Sequence, residues 1–171
     1  MENIEYYASP LGRIVIASDS SCLHGLWFEG QKYFPASISG AERKPNSITE
    51  LVSGWLDLYF DGKKPEISRL PLEPQGSEFR RNVWGLLCLI PYGRVTTYGE
   101  IAAELARRHG LERMSAQAVG GAVGHNPISI IIPCHRVIGS GGALTGYAGG
   151  LDRKSRLLSL EQADTADIFR F

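Results

Sequence analysis

Residues 130–139, IIIPCHRVIG, set Cys134 beside His135 at the end of a run of three isoleucines that Pro133 interrupts. A thiol reacts as its thiolate, so a nucleophilic cysteine needs a group that lowers its pKa or takes its proton. His135 is the obvious candidate for that role. The isoleucine run reads as a buried strand, and on a strand adjacent side chains point to opposite faces, which would part the two. Pro133 breaks strand pairing and can bend the chain so that Cys134 and His135 share a pocket, directly or through a water. The competing reading is a small buried thiol beside a surface histidine.

Two further stretches bear on that choice. Residues 139–150, GSGGALTGYAGG, are too rich in glycine for a core and suit a loop that lets backbone approach a ligand. They do not match G-x-G-x-x-G and open no helix at the right place, which excludes a dinucleotide fingerprint. The last helical stretch, LDRKSRLLSLEQ at 151–162 with Asp152 as its cap, puts Glu161 on the stripe of Leu157 and Leu158. An acid on an apolar stripe needs a partner, and His135 could be it. A Glu161–His135–Cys134 relay would fix the imidazole tautomer and stabilise its charged form. The alternative is a carboxylate that ends its helix in solvent.

The elements that must position this cluster are legible in the pattern. IEYYAS, the turn PLG and RIVIAS predict a hairpin, and LHGLWFE adds a third strand. Residues 31–46 read as a loop. Ile48, Leu51, Val52, Trp55, Leu56 and Tyr59 recur at steps of three and four, which predicts a helix stopped at Asp61–Gly62. Residues 63–76 carry three prolines and allow at most a short edge strand, so the boundary between a 1–75 domain and a 76–171 domain is placed there. Beyond it, Phe79, Val83, Leu86, Leu87 and Ile90 share one helical face with Ser77 as cap. Thr97 and Glu100 fit a capping box for a helix over 97–110, which places Tyr98 in its first turn. Ser115 opens AQAVGGAVGHNP, a short helix with a bare face of alanines and glycines, closed by Asn126–Pro127. Two helices joined by a turn fit a helix-turn-helix and equally fit an internal helix–helix contact.

Composition narrows the class. The 171 residues are 43% hydrophobic and 21% charged, ordinary for a soluble globular protein, and no apolar run reaches membrane-spanning length. MENIEYYASP has neither the basic start nor the apolar core of a signal peptide, so a cytoplasmic protein is expected. Cys22, Cys88 and Cys134 are an odd number at spacings of no disulfide framework, which predicts free thiols. Cys22 and His24 are too few for a structural zinc site, and no metal or cofactor is expected. Net charge is zero, but residues 1–75 hold 7 basic and 10 acidic groups against 11 and 8 in residues 76–171. The second half is the better candidate for meeting phosphates.

IPCHRV, preceded by AVGGAVGHNP and followed by GYAGG, together with VWGLLCLIPYGRVTTYGEIA, closely resembles the O6-alkylguanine-DNA alkyltransferases, also called methylated-DNA-protein-cysteine methyltransferases. The resemblance covers residues 77–162 nearly continuously; the first 75 residues share only strand-and-helix order. It implies an α+β fold, with a small antiparallel sheet and helix of ribonuclease H-like type followed by a mostly helical, winged helix-turn-helix-like domain. It implies that Cys134 takes the alkyl group from guanine O6 in double-stranded DNA, and from O4-alkylthymine as well, in a one-way displacement that leaves S-alkyl cysteine. His135 and Glu161 then correspond to the residues that generate the thiolate through a bridging water, and Asn126 to the one that braces the turn before the active-site segment. Tyr98 corresponds to the tyrosine that helps a flipped guanine leave as a neutral base. Tyr147, Ala148, Gly149 and the backbone at Val137 correspond to the guanine pocket. Thr97, Ser115, Gln117, Ala118, Gly121 and Arg136 fall where the family meets DNA, in the minor groove.

One position departs from the pattern. The family commonly has an arginine where this chain has Gln117, which brings no charge, so weaker DNA affinity with intact chemistry is expected. The turn RRHGLERM also looks longer than usual, and its Arg107, Arg108 and Arg113 are candidates for phosphate contact. Two other readings compete with repair: a non-enzymatic lesion-binding protein of the same fold, which would lack the reactive cysteine, and a thiol hydrolase using Cys134, His135 and Glu161. The few cysteines predict a stand-alone monomer without a fused metal-binding domain.

Overall fold

The computed structural model describes residues 3–171; Met1 and Glu2, part of the stretch read for a signal peptide, lie outside the described residues. The chain forms two compact units: the residues up to Gln75 with Pro127–Ile131, and Gly76–Asn126 with Ile132–Phe171.

In the first unit β1 (Asn3–Ser9), β2 (Gly12–Ser18) and β3 (Leu23–Phe28) form an antiparallel meander with β2 central. Ser9 pairs with Gly12 across the turn, and Ile14 with Phe28 on the other side of β2. Alternation puts Ile4, Val15, Ala17 and Trp27 on one face, where Ile38 and Phe34 of the following loop close over them. The loop expected at 31–46 thus has a structural purpose: its single 3-10 turn, Ala36–Ile38, supplies the plug. The other face receives α1 (Ser47–Phe60). Asn46 caps α1 in a reciprocal box with Thr49, and Tyr7 of β1 donates to Asp57 of α1 at 2.7 Å. The outer edge of β3 is covered twice: Leu23 pairs with Leu72, and Leu26 with Ile128. Covered edges do not recruit foreign strands. His24 has no bond to Cys22; its ring spans Asp19 Oδ2 at 2.8 Å and the Glu73 carbonyl at 3.1 Å.

The second unit holds α2 (Glu78–Leu87), β4 (Thr96–Thr97), α3 (Tyr98–Arg108), α4 (Ala116–Gly124), β5 (Val137–Ile138) and α5 (Leu151–Leu160). Ser77, Thr97 and Ser115 cap α2, α3 and α4 as their types predict, each hydroxyl accepting a backbone N–H three residues on. Only half of the expected box at α3 forms, because the Glu100 carboxylate accepts from Arg170 at 2.5 Å instead. Asp152 is not the cap of α5. That position is Gly150, whose φ of +94° favours glycine, and Asp152 sits in the first turn where an acid suits the helix dipole. The Trp84 indole donates to the Ala122 carbonyl at 2.8 Å and ties α2 to α4. Short parallel pairs Thr96–Val137 and Thr97–Ile138 join β4 to β5.

Residues 130–132 are not a strand. Ile130 has φ of +68°, Ser129 to Ile132 form turns, and the apolar side chains are buried without ladder pairing. A short apolar run carries no periodicity to separate a strand from a buried turn.

Candidate active site

Pro133 makes the bend that brings Cys134 into play. Its φ and ψ of −82° and 65° are those of an inverse γ-turn, and the Cys134 N–H closes it on the Ile132 carbonyl at 2.8 Å. The Asn126 side chain donates to the same carbonyl at 2.7 Å, bracing the bend from the end of α4. Cys134, His135 and Arg136 then form one 3-10 turn. Successive side chains there diverge by roughly 120°, not 180°, so the separation expected on a strand does not arise.

The imidazole of His135 is fully buried, and its Nε2 lies 2.7 Å from Glu161 Oε1. Glu161, immediately after α5, is equally enclosed. Arg136 donates through Nε to Glu161 Oε2 and through Nη2 to Oε1, both at 2.9 Å, and through Nη1 to the Ile90 carbonyl at 2.7 Å. The Gly93 N–H adds a fourth donor to the carboxylate at 3.2 Å. Arg136 is therefore not a DNA contact. It is 5% exposed, and its guanidinium is committed to Glu161 and Ile90.

Burial pushes the Glu161 carboxyl up, but His135 and Arg136 outweigh it and hold the group well below the usual carboxylate range. Burial dominates at His135 and lowers its pKa against the pull of Glu161. Because Arg136 already neutralises much of the Glu161 charge, the resting state is a neutral imidazole beside an ionised carboxylate. Its Nε2–H donates to Glu161, so the basic lone pair belongs to Nδ1. Burial likewise raises the Cys134 thiol, opposed by the Asn126 amide, the Lys154 ammonium and the N–H groups of Cys134 and His135. The thiol is thus protonated at rest, in surroundings that already favour its anion.

Lys154 belongs to this site and was not among the residues read from the sequence as functional. It is fully buried on α5, and its Nζ donates to the carbonyls of Val137 at 2.5 Å, Thr145 at 3.0 Å and Gly146 at 3.1 Å. Burial lowers its pKa to about 8, partly offset by Cys134. The signal was there: Lys154 lies three and four residues before Leu157 and Leu158, on the stripe that singled out Glu161.

The residues expected to form the guanine pocket come from two segments. Tyr98, in the first turn of α3, donates to the Thr145 carbonyl at 3.0 Å, and burial holds its hydroxyl protonated. Tyr147 is also kept protonated by burial, and its hydroxyl is enclosed without a hydrogen-bond partner among the described residues. Ala148 is half-buried and Gly149 buried, with the Gly149 carbonyl accepting from Arg153 at 3.1 Å. Val137 is fully buried and offers its carbonyl to Lys154.

The residues expected on DNA are placed differently from one another. Ser115, Gln117, Ala118 and Gly121 are exposed on α4, whereas Thr97 is half-buried with its hydroxyl engaged as a cap. Arg107 and Arg108 are not free guanidinium groups. Both bind Glu104, Arg107 through two bonds of 2.8 and 2.7 Å and Arg108 through one of 2.6 Å.

Residues 78–163 match the model of the 6-O-methylguanine DNA methyltransferase, DNA binding domain, and residues 4–74 that of the 6-O-methylguanine DNA methyltransferase, ribonuclease-like domain. The chain belongs to the 6-O-methylguanine DNA methyltransferase family. Among its family relatives, the methylated-DNA--protein-cysteine methyltransferase of Mycolicibacterium paratuberculosis is 45% identical over 161 residues, covering 93% of each chain. That of Haemophilus influenzae is 40% identical over 162 residues, covering 95% of this chain and 87% of its own. The crystal structure of Mycobacterium tuberculosis OGT in complex with DNA superposes with a TM-score of 0.80 at 39% identity, covering 94% of this chain and 92% of that one. As a methyltransferase-family member the chain has the α+β architecture, its three-stranded sheet and α1 in the ribonuclease-like part and α2 to α5 in the DNA-binding part.

Proposed function

We propose that the protein repairs double-stranded DNA by moving the alkyl group of O6-alkylguanine, and of O4-alkylthymine, onto Cys134. The observation that carries this reading is the buried sequence of contacts from Arg136 through Glu161 to His135, one residue from a thiol whose anion the Asn126 amide and the neighbouring backbone N–H groups favour. His135, neutral at rest, takes the Cys134 proton through a bridging water, and Glu161 stabilises the imidazolium that results. The thiolate attacks the alkyl carbon. The sulfur–carbon bond forms as the carbon–oxygen bond breaks, and the electron pair leaves on guanine O6. Tyr98, exchanging its bond to Thr145 for one to guanine, hands the departing base a proton and regains one from the His135 imidazolium by way of water, so that the proton taken from Cys134 ends on guanine. The thioether product has no ionisable proton and no route back, so each molecule acts once.

The base must leave the duplex stack to reach a thiol this enclosed. Val137, Tyr147, Ala148 and Gly149 line the receiving pocket, with the enclosed Tyr147 hydroxyl available to the base. The bare face of α4, with Ser115, Gln117, Ala118 and Gly121, lets the helix backbone approach the minor groove, and Gln117 fills the gap that the extruded base leaves. Three free thiols suit a reducing compartment, so we read the protein as cytoplasmic. No helix among the described residues is long and apolar enough to cross a membrane.

The test is to mix the protein with a duplex carrying one O6-methylguanine and to digest and quantify the DNA bases. One guanine restored per protein molecule, then no more, is expected. Multiple turnovers would favour a hydrolase, and binding without loss of O6-methylguanine a lesion-binding protein.

A further inference from the structure

The chain after α5 runs back across the segment that carries Tyr98. The Phe169 N–H donates to the Val95 carbonyl at 2.7 Å, and the Thr96 hydroxyl donates to the Phe169 carbonyl at 2.9 Å. Val95 and Ile168 pair in parallel, so residues 168–169 lie against the segment entering β4, whose other neighbour is β5. Two ion pairs flank these bonds, Arg94 with Asp167 at 3.1 Å and Arg170 with Glu100 at 2.5 Å. Residues 94–100, with Tyr98 among them, are therefore held between β5 and the C-terminal tail.

The tail also shares a small core with the glycine-rich loop. Ile168 and Ala163 pack on a small core of Val95, Ile138 and Leu158, and Leu144 of the glycine-rich loop packs on the same core. Leu144 directly precedes Thr145, whose carbonyl accepts from both Tyr98 and Lys154. Ile168 and Leu144 thus pack on one shared core, so the segment that carries Tyr98 and the loop that leads to Tyr147 are coupled through Val95, Ile138 and Leu158.

We propose that residues 167–170 are a positioning element for alkyl transfer: Ile168 and the Phe169 backbone fix Tyr98 and the 144–149 loop at the spacing a flipped guanine requires. The bonds of the tail run to Arg94, Val95, Thr96 and Glu100, on the side of Tyr98, so it acts on departure of the base and leaves thiol activation alone. The two exposed ion pairs contribute little, because solvent screens them. The backbone bond and the apolar plug do the holding. This inference rests on the proposed alkyl transfer.

The test uses the full chain with Ile168→Ala and Phe169→Pro combined, which removes the plug and the N–H donor without touching a pocket residue. Single-turnover alkylation from O6-methylguanine duplex is compared with alkylation of Cys134 by iodoacetamide across pH. The maximal single-turnover rate is expected to fall about tenfold or more, as small misplacements near a reacting centre do. The half-saturating duplex concentration and the iodoacetamide pH profile stay those of the parent. Thr96→Val, which loses one tail bond, should fall in the same direction, and Thr96→Ser should restore the rate. A variant that transfers at the parent rate overturns the role of the tail. One that loses the duplex and iodoacetamide reactions together overturns it too, since that marks general loosening. A parent protein that takes no methyl group from DNA sinks the proposed function itself.

Discussion

Arg136 grips Glu161 with two parallel bonds of 2.9 Å, Nε to Oε2 and Nη2 to Oε1, with the carboxylate fully enclosed. A side chain that looks in sequence like a basic group beside a DNA site is the counter-charge that lets the carboxylate stay ionised indoors. Replacing Arg136 by methionine strands a buried carboxylate, and about 3 kcal/mol or more of stability should be lost in urea denaturation. The unshielded Glu161 would also hold His135 as imidazolium and so raise its pKa. Duplex affinity and its salt dependence should stay those of the parent. A variant that keeps its stability but loses salt-dependent DNA binding would return Arg136 to the phosphate backbone.

The base that serves Cys134 must be a neutral imidazole. Burial sets the His135 pKa below its ordinary value of 6.5, so the competent form persists at pH 6.5 and is lost only at lower pH. The rate of Cys134 alkylation should accordingly show its acid limb below pH 6.5. Glu161→Gln removes the charge that stabilises the imidazolium and should slow transfer about a hundredfold. A limb above 6.5, or a Gln variant of parental rate, would contradict the relay.

Lys154 binds its proton less readily in the fold than in the unfolded chain, with a pKa of about 8 against an ordinary 10.5. Between those values the unfolded chain holds more protons, so this residue makes stability rise with pH across the window; below pH 8 its full cost is present. Lys154→Met should remove that rise. It should also slow transfer near neutral pH, because the cation beside Cys134 and its bonds to the Val137, Thr145 and Gly146 carbonyls are gone. Identical pH slopes for variant and parent would show that the ammonium is not held as described.

Gln117 is exposed on α4 and uncharged. Gln117→Arg should tighten duplex binding and steepen the slope of log affinity against log salt by about 0.9, the value for one neutralised phosphate. The rate at saturating DNA should not change. If affinity is also unchanged, the position does not meet DNA.

The periodic elements were readable because their signals are local. The hairpin, α1 to α5 and the serine and threonine caps all follow from apolar spacing and side-chain oxygens at helix starts. Glu161 was found by the same means, as an acid on an apolar stripe. Lys154 carries the same mark, but a lysine on a helix usually reaches solvent, so its type argues against burial. Arg136 was misplaced because its partners lie far away in sequence, at Ile90 and Glu161. The run 130–132 was misread because a left-handed isoleucine is an exception that composition does not announce. The Pro133 bend was anticipated from the residue type; its consequence, a 3-10 turn that changes how Cys134 and His135 diverge, needed coordinates.

The most direct test is intact-mass and peptide-mapping spectrometry after mixing the protein with duplex DNA that carries one O6-methylguanine, beside a Cys134→Ala control. The account predicts a single added methyl group on the peptide containing Cys134, never more than one per molecule, and none on the control. A methyl group on another residue, or an unchanged mass after the lesion has bound, would contradict it.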